Sequence, residues 1–336
     1  MPSVAQQTRW LDFLAAFRAW LFLALLLITF EVWAHAVYHG TFLLNPFNIE
    51  SIAVFTVTPL LLALGQTLVI ISGGIDLSVG FTMGLSAVVT AHVFNWGTAF
   101  GSPLLSLILA VLAGLAIAVI PGLINGLLIA DLRVPPFIGT LGMYGVTRGV
   151  AYLLARGTTV PVNGGPLVSI GNSSIGGFPI VVLLTIGIVF GMHYLLSHTR
   201  FGQHTYAIGG NVQAALRAGI NVRNNTIALY ILSSLSAACA GILYTAKFSA
   251  GAAQAGEPVL LDSIAAVVIG GASLFGGSGT IVGTVIGALI IAVIQYGLVF
   301  VNVEPFWQFV AVGVVIIISV LVDQVQKQVG KDGING

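Results

Sequence analysis

Asp76 stands among Gly73, Gly74 and Gly80 in the stretch LVIISGGIDLSVGFTMG, Leu68 to Gly84, inside an otherwise unbroken apolar run. A carboxylate at bilayer depth costs roughly 2.5 to 3.5 kcal/mol on insertion scales, unless it snorkels, pairs or meets water. The glycines around it weaken the helix. Backbone that leaves the helix at that depth survives only inside protein or beside a wet cavity. The spacing therefore predicts a broken helix next to a polar route, with Gly73, Gly74, Asp76 and Ser78 on the substrate path. A second segment echoes the first: Gly73-Gly74-Ile75-Asp76-Leu77 recurs in outline as Gly270-Gly271-Ala272-Ser273-Leu274. Corresponding glycine-interrupted segments point to a transporter's substrate route, which adds Gly270, Gly271 and Ser273 to the path. In a chain with 42 glycines such pairs also arise by chance, or serve tight helix packing. By span count both segments run in the same direction; an inverted repeat requires one span to be re-entrant.

Two further charges fall in apolar surroundings. Arg148, mid-span in GMYGVTRGVAYLL, reads either as a pathway or interhelix anchor that pairs with Asp76 or Asp262, or as a structural salt bridge. Asp262 follows Glu257-Pro258, and the favoured reading is a helix N-cap, where the macrodipole suits a carboxylate. His35 and His39 share a helix face, but two ligands without a third make no metal site, so no metal is expected. His198 and His204 read as solvated. None of Lys247, Lys327 and Lys331 precedes Ser or Thr, so the Gly-Lys-Ser/Thr grip on nucleotide phosphates is missing. Any ATP and magnesium that drive this chain belong to another subunit, and no cofactor is expected on it. Serines and threonines are plentiful, yet no base is spaced to activate one, which argues against an enzyme. The single cysteine, Cys239, lies in an apolar helix and reads as packing.

The elements that must position these residues are membrane helices. With 57% hydrophobic residues, 6% charged and a mean hydropathy of +1.06, the chain departs far from soluble proteins, of which about a quarter is charged. The expected class is an all-α polytopic membrane protein. Taking about 20 apolar residues per span, ten candidates emerge: 19–38, 51–72, 77–95, 103–130, 137–155, 179–197, 226–247, 260–275, 280–300 and 306–323. Pro121-Gly122 predicts a kink or tilt in the fourth, and the short eighth reads as re-entrant or broken. A single transmembrane domain, 19–323, follows, between an N-terminal segment 1–18 and a tail 324–336.

Lys and Arg near span ends favour the cytoplasm. The loop 198–225 carries Arg200, Arg217 and Arg223 with no acidic residue, which places it inside. An even span count then puts both termini in the cytoplasm, in agreement with Arg9, Arg18, Lys327 and Lys331; Arg156 runs against the rule. Scattered basic residues give no reason to expect nucleic acid. The outer loop 156–178 reads as a turn-laden cap, with Asn172-Ser173-Ser174 as a turn rather than a glycosylation site. Within the inner loop, Asn211 is placed to cap a short helix, Val212 to Ala218, stopped by Gly219. Such a helix suits docking to a cytoplasmic partner, or lies bare on lipid headgroups.

Four segments in order carry a resemblance: GGIDLSVG, VPPFIGTLGMYGVTRG, TRFGQHTYAIGGNVQAALRAGINV and LDSIAAVVIGGASLFGGSGTIVGTVIGALI. From roughly Phe42 to Asp323 the chain resembles the permease subunits of bacterial ABC importers for monosaccharides, the ribose-permease type. The resemblance implies a multi-pass protein of the bacterial inner membrane, paired with a second copy or a sister permease. It implies a cytoplasmic ABC ATPase as motor and a periplasmic sugar-binding protein as donor. The inner-loop helix becomes the coupling helix, with Gly209, Gly210, Asn211, Ala214, Ala215, Arg217 and Gly219 as its candidate residues. Two positions depart from the pattern: Leu260 stands where relatives commonly have Glu, and Val312 where they have Lys. The rival reading is an ion-coupled secondary transporter built on Asp76 and Arg148, with a passive channel third.

Overall fold

The computed structural model describes residues 4–98, 101–304, 306–315, 317, 318 and 321, with side chains from residue 18 onward. Among these the chain is mainly helical, and six helices are long and apolar enough to cross a membrane. They lie within α1 (Val4–Tyr38), α2 (Pro46–Ile71), α4 (Pro103–Ala130), α7 (Ile180–His198), α10 (Val222–Phe248) and α12 (Ile281–Phe300). Four predicted spans are not among the six. The stretches at 77–95 and 137–155 form α3 (Val79–Thr98) and α5 (Pro136–Ala155), whose glycine, hydroxyl and charged residues dilute their apolar character. The stretch at 260–275 forms α11 (Glu257–Ile269), whose 13 residues reach only about 20 Å. Of the last predicted span, residues 307–315 are helical; the tail 324–336 lies outside the described residues. The segment before residue 19 is helical from Val4 and continuous with α1.

Burial sorts the helices into a centre and a ring. α2, α3 and the middle of α10 are buried along most of their length, whereas α1, α4, α5 and α7 keep large apolar side chains exposed, as lipid-facing helices do. Small residues let the two sets approach. On α4, Gly114, Ala118, Gly122 and Gly126 repeat every fourth residue, and a Cβ on Gly126 would lie 2.7 Å from the Ile227 Cα of α10. α4 runs on through Pro121 to Ala130. Beyond it, Arg223 grips Asp131 with two hydrogen bonds of 2.5 and 2.7 Å, which ties the end of α4 to the start of α10. That guanidinium holds the Asp131 carboxyl below its ordinary value.

The outer loop carries more order than its turn-rich sequence suggests. It holds β1 (Val160–Pro161), a short α6 (Pro166–Asn172), and the hairpin of β2 (Ser174–Ile175) with β3 (Phe178–Pro179). β1 pairs antiparallel with β4 (Ala250–Gly251), pinning the loop against the end of α10. The inner loop is two helices: α8 (Arg200–Gly210), hidden in sequence by its glycines and polar residues, and α9 (Val212–Arg217).

Candidate functional site

α2 stops at Ile71 and α11 at Ile269, and both stop in the same way. The N–H of Gly73 donates to Ile70 O at 2.9 Å and that of Gly74 to Val69 O at 3.0 Å. In α11 the N–H of Gly271 donates to Val268 O at 2.9 Å and that of Ala272 to Val267 O at 3.1 Å. This is the Schellman pattern, whose turning residue sits in the left-handed region. Gly73 (φ 86°) and Gly271 (φ 95°) hold that position. The structural repeat therefore pairs Gly73 with Gly271, one residue out of the step in which the two sequences align. Gly74 and Gly270 are glycines for space: a Cβ on Gly74 would lie 2.6 Å from the Tyr230 hydroxyl, and one on Gly270 would strike the Gly283 backbone.

The first break is closed by a buried polar network. The Asp76 carboxylate accepts from the Ser78 N–H at 3.0 Å and the Ser78 hydroxyl at 2.6 Å through Oδ1, and from the Ser233 hydroxyl at 2.9 Å through Oδ2. Gln66 on α2 clasps the Asp76 peptide from both sides, donating to its carbonyl and accepting from its N–H. Asn125 on α4 donates to the Ser78 hydroxyl at 2.9 Å, and Thr140 on α5 to the Ile75 carbonyl at 3.2 Å. Asp76 and Ser78 have no solvent exposure. Four helices, α2, α4, α5 and α10, thus converge on a segment that has left the helix, which is how irregular backbone survives at membrane depth. Gln66, Ser233, Asn125 and Thr140 escaped the sequence reading; the signal was their polarity inside apolar runs.

The two breaks touch. The N–H of Gly277 donates to the carbonyl of Ile71 at 2.8 Å, and a Cβ on Gly276 would lie 3.0 Å from the Gly73 Cα. α2 and α11 therefore lie side by side, running in the same direction. The second break closes on itself, with the N–H of Ser273 donating to Ser278 O at 3.1 Å. α8 ends against both, because Gly209 packs its backbone on Ile71 and Gly277.

The other predicted charges sit differently from expectation. Arg148 pairs with neither Asp76 nor Asp262; its guanidinium lies over the Phe81 ring, 5.3 Å from the centroid, a cation–π contact. Asp262 is no N-cap, because Pro258 fits the first turn and starts α11 earlier, with Gly256 at the cap. Asp262 sits mid-helix and accepts from Gln295 Nε2 of α12 at 2.8 Å. In the inner loop the Asn211 side chain does cap α9, accepting from the Ala214 N–H at 3.0 Å. Gly219 follows with φ 79°. Ala215 is buried, whereas Ala214, Arg217 and half of the Val212 and Leu216 side chains face outward. His35 Nε2 lies 3.1 Å from a carboxylate oxygen of Glu31, which also takes the N–H groups of Phe42 and Leu43 in the turn before α2.

A cavity of about 600 Å³ opens at the other end of α2 and α11, lined by none of the predicted path residues. Its walls are mostly apolar, with Phe55, Tyr244 and Phe248 among them. Its polar groups are Thr58, Lys247, Gln254, Glu257 and Gln295. A mostly apolar cleft with a few polar groups, the charged Lys247 and Glu257 among them, is the usual form of a small-molecule site.

Residues 48–320 match the family described as branched-chain amino acid transport system / permease component. The chain belongs to that family. This permease is 40% identical over 283 residues to the ribose import permease protein RbsC of Escherichia coli (strain K12), covering 82% of the chain and 85% of the relative. It is 39% identical over 268 residues to the fructose import permease protein FrcC of Rhizobium meliloti, covering 77% and 72%. The xylose transport system permease protein XylH of Haemophilus influenzae is 34% identical to it over 328 residues, covering 80% and 86%. No solved structure matches the permease.

Proposed function

We propose that this permease is the membrane subunit of an ATP-driven sugar importer of the bacterial inner membrane, working by alternating access. The similarity to sugar import permeases along four-fifths of the chain carries the reading. About ten helices enter the bilayer: the six apolar spans, α3, α5, the half-length α11 and the helix from residue 307. Two permeases, identical or sister, enclose the path. A sugar handed over by a periplasmic binding protein enters through the cavity at the starts of α2 and α11. The breaks at Gly73–Ser78 and Gly270–Ser273 close the path towards the cytoplasm.

α9 is the coupling helix, with Asn211, Ala214 and Arg217 at the surface of a cytoplasmic ATPase that holds the ATP and magnesium. Both termini lie in the cytoplasm. The ion-coupled alternative loses its support, because Asp76 is sealed by three donors and Arg148 is not its partner.

Reconstitution in lipid vesicles tests the reading. With ATPase, binding protein and ATP, one of radiolabelled ribose, fructose, xylose or galactose accumulates; an ion gradient without ATP gives no uptake. Uptake driven by the ion gradient alone rejects the proposal.

A further inference from the structure

α8 ends on Gly209 and Gly210, two residues expected in the coupling helix, and it is clamped near both ends by glycines. Near its start, a Cβ on Gly202 would strike the Leu196 carbonyl of α7; near its end, one on Gly209 would strike the Ile71 carbonyl and crowd the Gly277 N–H at 2.6 Å. These are the two atoms of the hydrogen bond that joins the breaks. The Tyr206 hydroxyl, one turn earlier, donates to the Gly279 carbonyl at 2.6 Å. Asn225 on α10 donates to the Thr205 hydroxyl at 3.2 Å, holding the middle of α8. One residue separates Gly210, the last of α8, from Val212, the first of α9, and that residue is the Asn211 cap shared by both helices.

We infer that α8 is the connecting rod of this permease: Gly209 and Tyr206 are positioning residues that pass movement of α9 to both helix breaks at once. The contact at Gly209 is backbone on backbone, with no side chain to absorb displacement, so a shift of α9 displaces Ile71 and Gly277 together. Packed contacts of this kind switch between arrangements rather than deform continuously. The inference rests on α9 being the face that meets the ATPase.

Hydrogen exchange by mass spectrometry on the full complex of permease, ATPase and binding protein tests it, alongside vesicle uptake. In the wild type, the ATPase protects 212–218, and a nonhydrolysable ATP analogue with magnesium changes exchange in 212–218, 71–78 and 273–280. In Gly209→Ala the response in 212–218 remains, the response in both breaks disappears, and sugar moved per ATP hydrolysed falls by about tenfold, within the usual range of coupling between sites. Gly187→Ala, a glycine of α7 with open space around it, keeps the wild-type response. If Gly209→Ala does not retain the ATPase, Tyr206→Phe replaces it, because it removes one hydroxyl and keeps the ring; the same loss of response is expected. Breaks that respond as in the wild type in the variant that retains the ATPase overturn the inference. Absence of ATPase protection over 212–218 in the wild type instead rejects the docking role of α9, and this inference with it.

Discussion

The hydroxyl of Ser233 and the carboxylate of Asp76 meet at 2.9 Å, across 157 positions of sequence, where neither has any contact with solvent. The bond joins α10 to a segment between α2 and α3 in which Ile75, Asp76 and Leu77 belong to neither helix. Asp76 therefore shapes the break. Asp76→Ala leaves Ser78 and Ser233 without their acceptor, and each buried orphan costs about 1–3 kcal/mol. A loss of roughly 3 kcal/mol is expected, read as a lower melting temperature in detergent. Asp76→Asn keeps one acceptor oxygen and loses about 1 kcal/mol by the same reasoning, with uptake retained. Wild-type melting in Asp76→Asn together with abolished uptake would place a titrating charge on the route instead.

Tyr230 offers a second check on the same break. Its hydroxyl is buried with no hydrogen-bond partner among the described residues and fills the space a side chain at Gly74 would need. Tyr230→Phe removes the unmet hydroxyl and raises the melting temperature. Gly74→Ala lowers it, and in the double variant much of that loss is recovered, because the collision at 2.6 Å is with the atom that has been deleted. Equal penalties for Gly74→Ala in both backgrounds would show that the hydroxyl is not the obstacle.

The Arg223–Asp131 pair gives a pH dependence whose sign is fixed by the structure. The guanidinium holds the Asp131 carboxyl below its ordinary value of 3.8, so the folded protein binds that proton less readily than the unfolded chain. The pair's contribution is present above 3.8 and is lost as pH falls through the lower folded-state value. Melting temperatures of the wild type and Asp131→Asn should differ by a constant amount near neutrality and converge on acidification. A gap that widens in acid contradicts the assignment.

The sequence showed the two breaks but misaligned them, for a physical reason. Only the turning glycine of each helix end needs a positive φ; its glycine neighbour serves packing, before the turn in α11 and after it in α2. Matching one Gly-Gly pair to the other therefore slips the register by a residue. Asp76 drew attention because a charge in an apolar run is locally visible. Its partners Gln66 and Ser233, and Asn125, which holds the adjoining Ser78, come from three other places in the chain, and only the fold brings them together. α8 read as loop because three glycines in RFGQHTYAIGG suggest flexibility, whereas two of them are there for close backbone contact. Asp262 was misjudged because its partner, Gln295, lies on another helix. α9, by contrast, was legible from Asn211 to Gly219, since a cap and a stop are local chemistry.

Arg217 tests where force enters. It closes the exposed face of α9, with the Ala215 side chain turned inward and the Val212 and Leu216 side chains half exposed. A lone cation beside apolar contacts steers docking to an acidic cleft more than it adds affinity. Arg217→Glu reverses the charge without touching the buried side of the helix, so insertion and melting stay as in the wild type. ATP hydrolysis stimulated by the loaded binding protein, and with it uptake, falls by an order of magnitude or more, since a like charge across an interface costs several kcal/mol. The loss shrinks in high salt, where exposed charges are screened within about 3 Å at 1 M. Unchanged stimulation at low salt would mean that α9 lies on lipid headgroups and that the ATPase docks elsewhere on the cytoplasmic face.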